Sequence, residues 1–221
     1  MMMQEWFSEG FPVQVPAGTS ILDAEMQVPT GASGLIVLVH AGSRPRYTQR
    51  VQNLAEYFAK DGFGILIMDL LTEEESEIGK QAEDRNCFDR EMLADRLDYS
   101  LEWVQDLPEA SGLPIGLFGT GDGAWAAISA AAGRQEEVSA RVVVGMESPA
   151  EFGALKSIQA RNLLIYGDRG GDTTLARNCM SALSGRKRSE IIPGYAQGRE
   201  ESGVTEKVSR LACFWFEQYL Q

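Results

Sequence analysis

Gly119-Thr120-Gly121-Asp122-Gly123 follows an apolar run, Ile115 to Phe118, and opens a small-residue stretch, Ala124 to Ala132. In the pattern G-x-S-x-G, flanking glycines let a strand turn sharply into a helix and leave a central hydroxyl exposed for attack on a carbonyl. Here the central position is Gly121, which has no atom to attack with. Asp122 carries the nearest carboxylate, and Thr120 the nearest hydroxyl. The chain holds one histidine, His40, and three widely spaced cysteines, Cys87, Cys179 and Cys213. Their spacing matches neither a zinc site nor a redox dithiol, so reduced thiols are expected, with no metal and no cofactor.

A sharp turn of this kind needs a buried sheet beneath it. Leu35-Ile36-Val37-Leu38-Val39 is a continuous run of β-formers, as a strand buried on both faces requires. Phe63 to Met68, Leu113 to Phe118, Arg141 to Val144 and Leu163 to Tyr166 repeat it, and Glu190-Ile191-Ile192 is a shorter example. Between them, Val51/Leu54/Ala55/Phe58, Leu93/Leu97/Leu101/Val104 and Val204/Val208/Leu211/Trp215 recur at helical spacing. Alternating strands and helices predict an α/β fold with a mostly parallel sheet and helices on both faces. Pro12 to Val28 predicts an opening hairpin turning at Pro16-Ala17-Gly18-Thr19, within an N-terminal region spanning 1–30. At 221 residues and 44% hydrophobic, the chain is read as a single domain over 1–221. The acidic stretch at 71–88, with Glu73, Glu74, Glu75 and Glu77, is read as a solvated loop or frayed helical turn, or a small lid over a pocket.

From Gly34 to the C-terminus the chain resembles the α/β-hydrolase superfamily, and within it the small members similar to dienelactone hydrolase. Four segments carry the resemblance in the family's order: His40-Ala41-Gly42-Ser43, GLFGTGDGAWAA from Gly116, NLLIYGDRGGD from Asn162, and IIPGYAQG from Ile191. They stand where that family has its oxyanion loop, nucleophile elbow, acid loop and base loop. The resemblance implies that Gly121 occupies the nucleophile position and Gln197 the histidine position, both substituted. It places Asp168 at the acid position, with Asp172 as the alternative. Ala41 and the backbone amide of Asp122 fall at the oxyanion-hole donors.

Acyl transfer needs an attacking atom, a base for its proton and a group that orients the base. Glycine and glutamine supply neither of the first two. The expectation is a protein of hydrolase fold without hydrolase catalysis, a pseudoenzyme acting in ligand binding, regulation or assembly. Three alternatives keep chemistry. A turn shifted by one residue makes Asp122 the nucleophile, in an active hydrolase of a small ester, lactone or carbon-halogen bond similar to haloalkane dehalogenases. His40 serves Ser43 or Thr120 as a base, against a structural role at the strand end. Cys87 attacks from the loop after Asp69.

Arg44, Arg46 and Arg50 lie on or just beyond the oxyanion loop of a chain with 20 basic and 32 acidic residues, net charge −12. With His40, Ser43 and Trp125 they suggest a site for a small anionic or carboxylated ligand, guanidinium being matched to carboxylate and phosphate. The competing reading pairs the arginines with Glu73 to Glu77 or points them to solvent, and packs Trp125 in the core. The acidic balance argues against nucleic acid. No run is long enough to span a membrane, and the start, MMMQEWFSEGF, lacks signal-peptide order, so the cytoplasm is expected. Phe214, Trp215, Phe216 and Tyr219 cannot share one helical face. They leave open a monomer, with the aromatics under Trp6 to Phe11, or a homodimer.

Overall fold

The computed structural model describes residues 10–41, 49–81, 88–130, 137–146, 155–156, 158–159, 161–168, 172–196, 199–200 and 203–220. Strands β1 (Phe11–Ala17) and β2 (Ser20–Gln27) form the opening hairpin, turning at Gly18-Thr19 with Gly18 at φ 67°. Then follow β3 (Leu35–Ala41), α1 (Gln49–Lys60), β4 (Gly64–Asp69), α2 (Glu73–Gln81), α3 (Arg90–Gln105), β5 (Ile115–Gly121) and α4 (Asp122–Ser129). The chain continues through β6 (Val138–Val144), β7 (Arg161–Gly167), α5 (Asp172–Ala182), β8 (Lys187–Ile192), the short pair β9 (Tyr195–Ala196) and β10 (Arg199–Glu200), and α6 (Val204–Tyr219).

Eight strands make one sheet in the order β1-β2-β4-β3-β5-β6-β7-β8. From β4 to β8 every pairing is parallel; β2 runs antiparallel to both β1 and β4. This is the α/β-hydrolase fold with its N-terminal antiparallel hairpin. Because both faces of the inner strands are covered, β3 and β4 are apolar at nearly every position rather than alternating. Val51, Leu54, Ala55 and Phe58 of α1 pack with α6 on one face, where Phe58 meets Phe118 and Phe216 edge-on at 5.5 and 5.7 Å. Leu93, Leu97, Leu101 and Val104 of α3 pack with α4 and α5 on the other.

Within the acidic stretch, Glu73–Gln81 is helical. Thr72 and Glu75 form a reciprocal cap, Thr72 N donating to Glu75 Oε2 at 2.9 Å and Glu75 N to Thr72 Oγ1 at 3.3 Å. Arg96 of α3 grips the same carboxylate with both terminal nitrogens, at 2.7 and 2.8 Å. It also donates to Leu70 O at 2.8 Å and Ser20 Oγ at 3.0 Å. One buried guanidinium thereby joins the β2 start, the β4 exit, α2 and α3.

Of the aromatics near the C-terminus, Trp215 and Phe216 are buried, Tyr219 is half-buried and Phe214 is exposed. Cys179 and Cys213 are free and buried, as reduced thiols should be; Cys87 lies outside the described residues. Burial pushes both thiols above their ordinary value, Cys213 the further, with Asp61 adding to its shift. Thiolate is the reactive form, so both should resist an aromatic disulfide reagent at neutral pH until the protein unfolds, as timed thiol counting would show. Among the described residues, no helix is long and apolar enough to cross a membrane.

Candidate functional site

β5 carries the chain to the carboxyl end of the sheet and stops at Gly121, which stands at φ 60°, ψ −130° immediately before α4. That backbone combination is open to glycine and costly for a residue with a Cβ. Asp122 is the first helical residue. The tip of the turn therefore falls on Gly121 and not on Asp122. The flanking glycines are set by contact. A Cβ on Gly119 would strike Gly123 O and lie 2.7 Å from Ala127 Cβ; one on Gly123 would lie 2.7 Å from Val39 O. β5, α4 and β3 approach so closely here that neither Gly119 nor Gly123 has room for a side chain.

β3 lies between β4 and β5, where the connections diverge to either side, the place at which open α/β sheets form a ligand crevice. In register across the three strand ends, His40 stands beside both Asp69 and Thr120, and Ala41 beside Gly121. His40 Nδ1 and Thr120 Oγ1 are 3.3 Å apart, and both residues are half-buried. Leu70 N donates to His40 O at 2.8 Å. Since Leu70 O is the acceptor for Arg96, the α2 clamp abuts the histidine strand directly. Asp69 stands at the same strand end, a place that residue type does not mark because only strand register puts it next to His40.

Asp168 directly follows β7, and its Oδ1 accepts from Gly194 N at 3.3 Å. Asp168 thus touches the loop that leads toward position 197. Beyond Gly194, Tyr195 is buried, and a Cβ on Gly145 at the end of β6 would come 2.6 Å from its hydroxyl. The Arg50 guanidinium lies 5.6 Å from the Tyr195 ring centre, so α1 braces this loop. Trp125 packs in the α3-side core with Arg90 6.0 Å from its ring, which fits core packing. Ser43, Arg44, Arg46 and Gln197 lie outside the described residues, as does the side chain of Asp172. Among the described residues no cluster of three or more histidine, cysteine, aspartate or glutamate side chains forms a metal-binding group.

No protein-family model matches the chain. Two curated relatives, each named putative phosphoribosyl transferase, from two strains of Mycobacterium tuberculosis, are 34% identical over 209 residues. The match takes in 94% of this chain and 46% of each relative, so the chain spans about half the length of the curated relatives it matches. Among solved structures, a dienelactone hydrolase from Anabaena variabilis superimposes with TM-score 0.86 at 34% identity, covering 96% of this chain and 99% of that one. Est1E from Butyrivibrio proteoclasticus, at 11% identity and TM-score 0.73, covers 93% of this chain and 99% of its own. The Pyrococcus furiosus esterase Pf2001, at 13% and 0.74, covers 97% and 95%. These two share the fold. Strand order, elbow geometry and a 34% identical relative matched over nearly its whole length agree: the chain belongs to the dienelactone-hydrolase family of the α/β-hydrolase fold.

Proposed function

We propose that this protein is a cytoplasmic, non-catalytic member of that family, which keeps the hydrolase crevice for binding a ligand and performs no acyl transfer there. The observation that carries the reading is the elbow tip, where φ 60° and ψ −130° fall on a glycine. The frame that would present a nucleophile is intact, and the presented residue has no side chain. Gln197, at the family's histidine position, offers no proton-accepting group near neutral pH. In a serine protease, loss of nucleophile or base costs about 10⁶ in turnover. Two such losses put the elbow's expected rate at background. Purified protein should give no turnover of activated short-chain esters above a boiled control; steady turnover removed by Asp122→Asn would reject the reading in favour of the aspartate nucleophile. The helical position of Asp122, one residue past the tip, weighs against that alternative.

The ligand expected in the crevice is small and anionic or carboxylated. Arg50 in the first turn of α1 supports this, in a chain otherwise rich in acid. The phosphoribosyl group in the curated relatives' name is an anion of the same class.

A second reading rests on the 3.3 Å approach of His40 Nδ1 to Thr120 Oγ1, which is near hydrogen-bond reach for a nucleophile and its base. With the proton on Nε2, His40 would take the threonine proton as Oγ1 attacks an acyl carbon, then return it to the leaving alcohol; water would release the acyl group. Turnover abolished equally by Thr120→Val and His40→Gln would establish it. An ester assay flat in wild type would remove it.

A further inference from the structure

At the opposite pole of the sheet from the elbow, beside the amino ends of β6, β7 and β8, two guanidiniums converge on one ring. Arg161 and Arg186 stand 5.2 and 5.9 Å from the ring centre of Tyr219, the last residue of α6. Arg186 Nη1 donates to Tyr219 Oη at 3.3 Å, and Arg161 Nη1 to Ser139 O at 3.3 Å. Trp215 meets the same ring edge-on at 4.8 Å, and its Nε1 donates to Arg161 O at 3.4 Å.

Both arginines are exposed, and among the described residues neither has a carboxylate within ion-pair reach. Their neighbours are already engaged: Arg188 pairs with Glu190 at 2.6 Å, and Lys187 Nζ donates to Leu183 O at 2.5 Å. In a chain with 32 acidic residues, two arginines on one ring with no carboxylate of the described residues in reach stand out from the surface around them. The ring face and the carboxyl end of α6 hold the two cations in place without neutralising them. The cluster offers donors: two guanidinium forks and a phenol hydroxyl, which accepts from Arg186 and has its own proton to give.

We propose that this cluster is a second binding site, outside the crevice, for a small oxyanion with three donor-accepting oxygens, a free phosphate monoester. Two guanidiniums and a hydroxyl match three oxygens of one phosphoryl group. A long polyanion such as nucleic acid is disfavoured, because beyond the cluster it would run along a body of net charge −12.

The test is a titration of the intact protein with inorganic phosphate, with chloride at equal ionic strength as the blank, following the indole N–H resonance of Trp215. A saturable shift is expected with phosphate and none with chloride. Arg186→Met and Arg161→Met should each weaken phosphate binding roughly tenfold, the loss of one charge-assisted partner. Tyr219→Phe, which keeps the ring and removes its hydroxyl, should weaken it less. Unfolding midpoints close to wild type, expected for exposed positions, verify that the variants are folded. The absence of a saturable shift in wild type, or a shift of equal strength in both arginine variants, would overturn the site. Either outcome leaves the crevice reading untouched, since that rests on the elbow.

Discussion

Arg96→Met is expected to lower the free energy of unfolding by about 3 kcal/mol, measured by urea denaturation. Arg96 is nearly buried, its side chain 9% exposed, and its carboxylate partner Glu75 is 25% exposed. Removing the guanidinium strips Glu75 of a bidentate partner and leaves Leu70 O and Ser20 Oγ without a donor. Partial solvation of Glu75 keeps the loss at the low end of what breaking a buried pair costs. The hydrogen bonds from Arg96 hold the Glu75 carboxyl below its ordinary value of 4.5, burial opposing them. A depressed carboxyl contributes stability that is present above its unfolded value and lost as pH falls through its folded one. Wild type should therefore lose stability on acidification below about pH 4.5 more steeply than Arg96→Met, whose acid limb should be flatter. An equal slope in the two proteins would mean that the pair is not coupled to folding.

The combined change Gly121→Ser with Gln197→His is expected to raise hydrolysis of activated esters by about 10²-fold or more over wild type, the scale of positioned acid-base catalysis. Asp168 already touches the base loop through Gly194, and Asp122 N begins α4 directly after the tip. These are the groups that the non-catalytic reading expects to support the restored pair. The gain carries a cost in stability. A Cβ at φ 60° is strained, so Gly121→Ser alone should lower unfolding free energy by roughly 1–3 kcal/mol while adding little activity. On the non-catalytic reading proposed above, glycine at the tip relieves that strain. A folded double variant that stays inactive would mean that acid and base loops no longer converge on the elbow.

Apolar runs located β3 to β7, and helical spacing located α1, α3 and α6, because these signals depend on burial alone. The elbow was legible for the same reason: Gly119 and Gly123 are required by close backbone approach, and that requirement is written in residue type. Other features depend on partners distant in the chain. α2 has its cap, Thr72-x-x-Glu75, in plain view, but Glu73, Glu74 and Glu77 read as solvated chain, and Arg96 lies 21 residues beyond Glu75. α5 was not read because, of its residues 174–182, only Ala176 and Cys179 are buried, too few for a visible stripe. His40 and Thr120 are 80 residues apart and meet only through β3–β5 register, as do His40 and Asp69 through β3–β4.

The account rests on an elbow that keeps its shape and presents no nucleophile. Intact-protein mass after incubation with a fluorophosphonate, an irreversible probe of activated hydroxyls, tests this directly. Wild type should gain no mass, while Gly121→Ser with Gln197→His should gain one adduct at the substituted elbow position. Stoichiometric labelling of the wild-type protein at Thr120 would contradict that reading, because it would show that the elbow still carries an attacking hydroxyl.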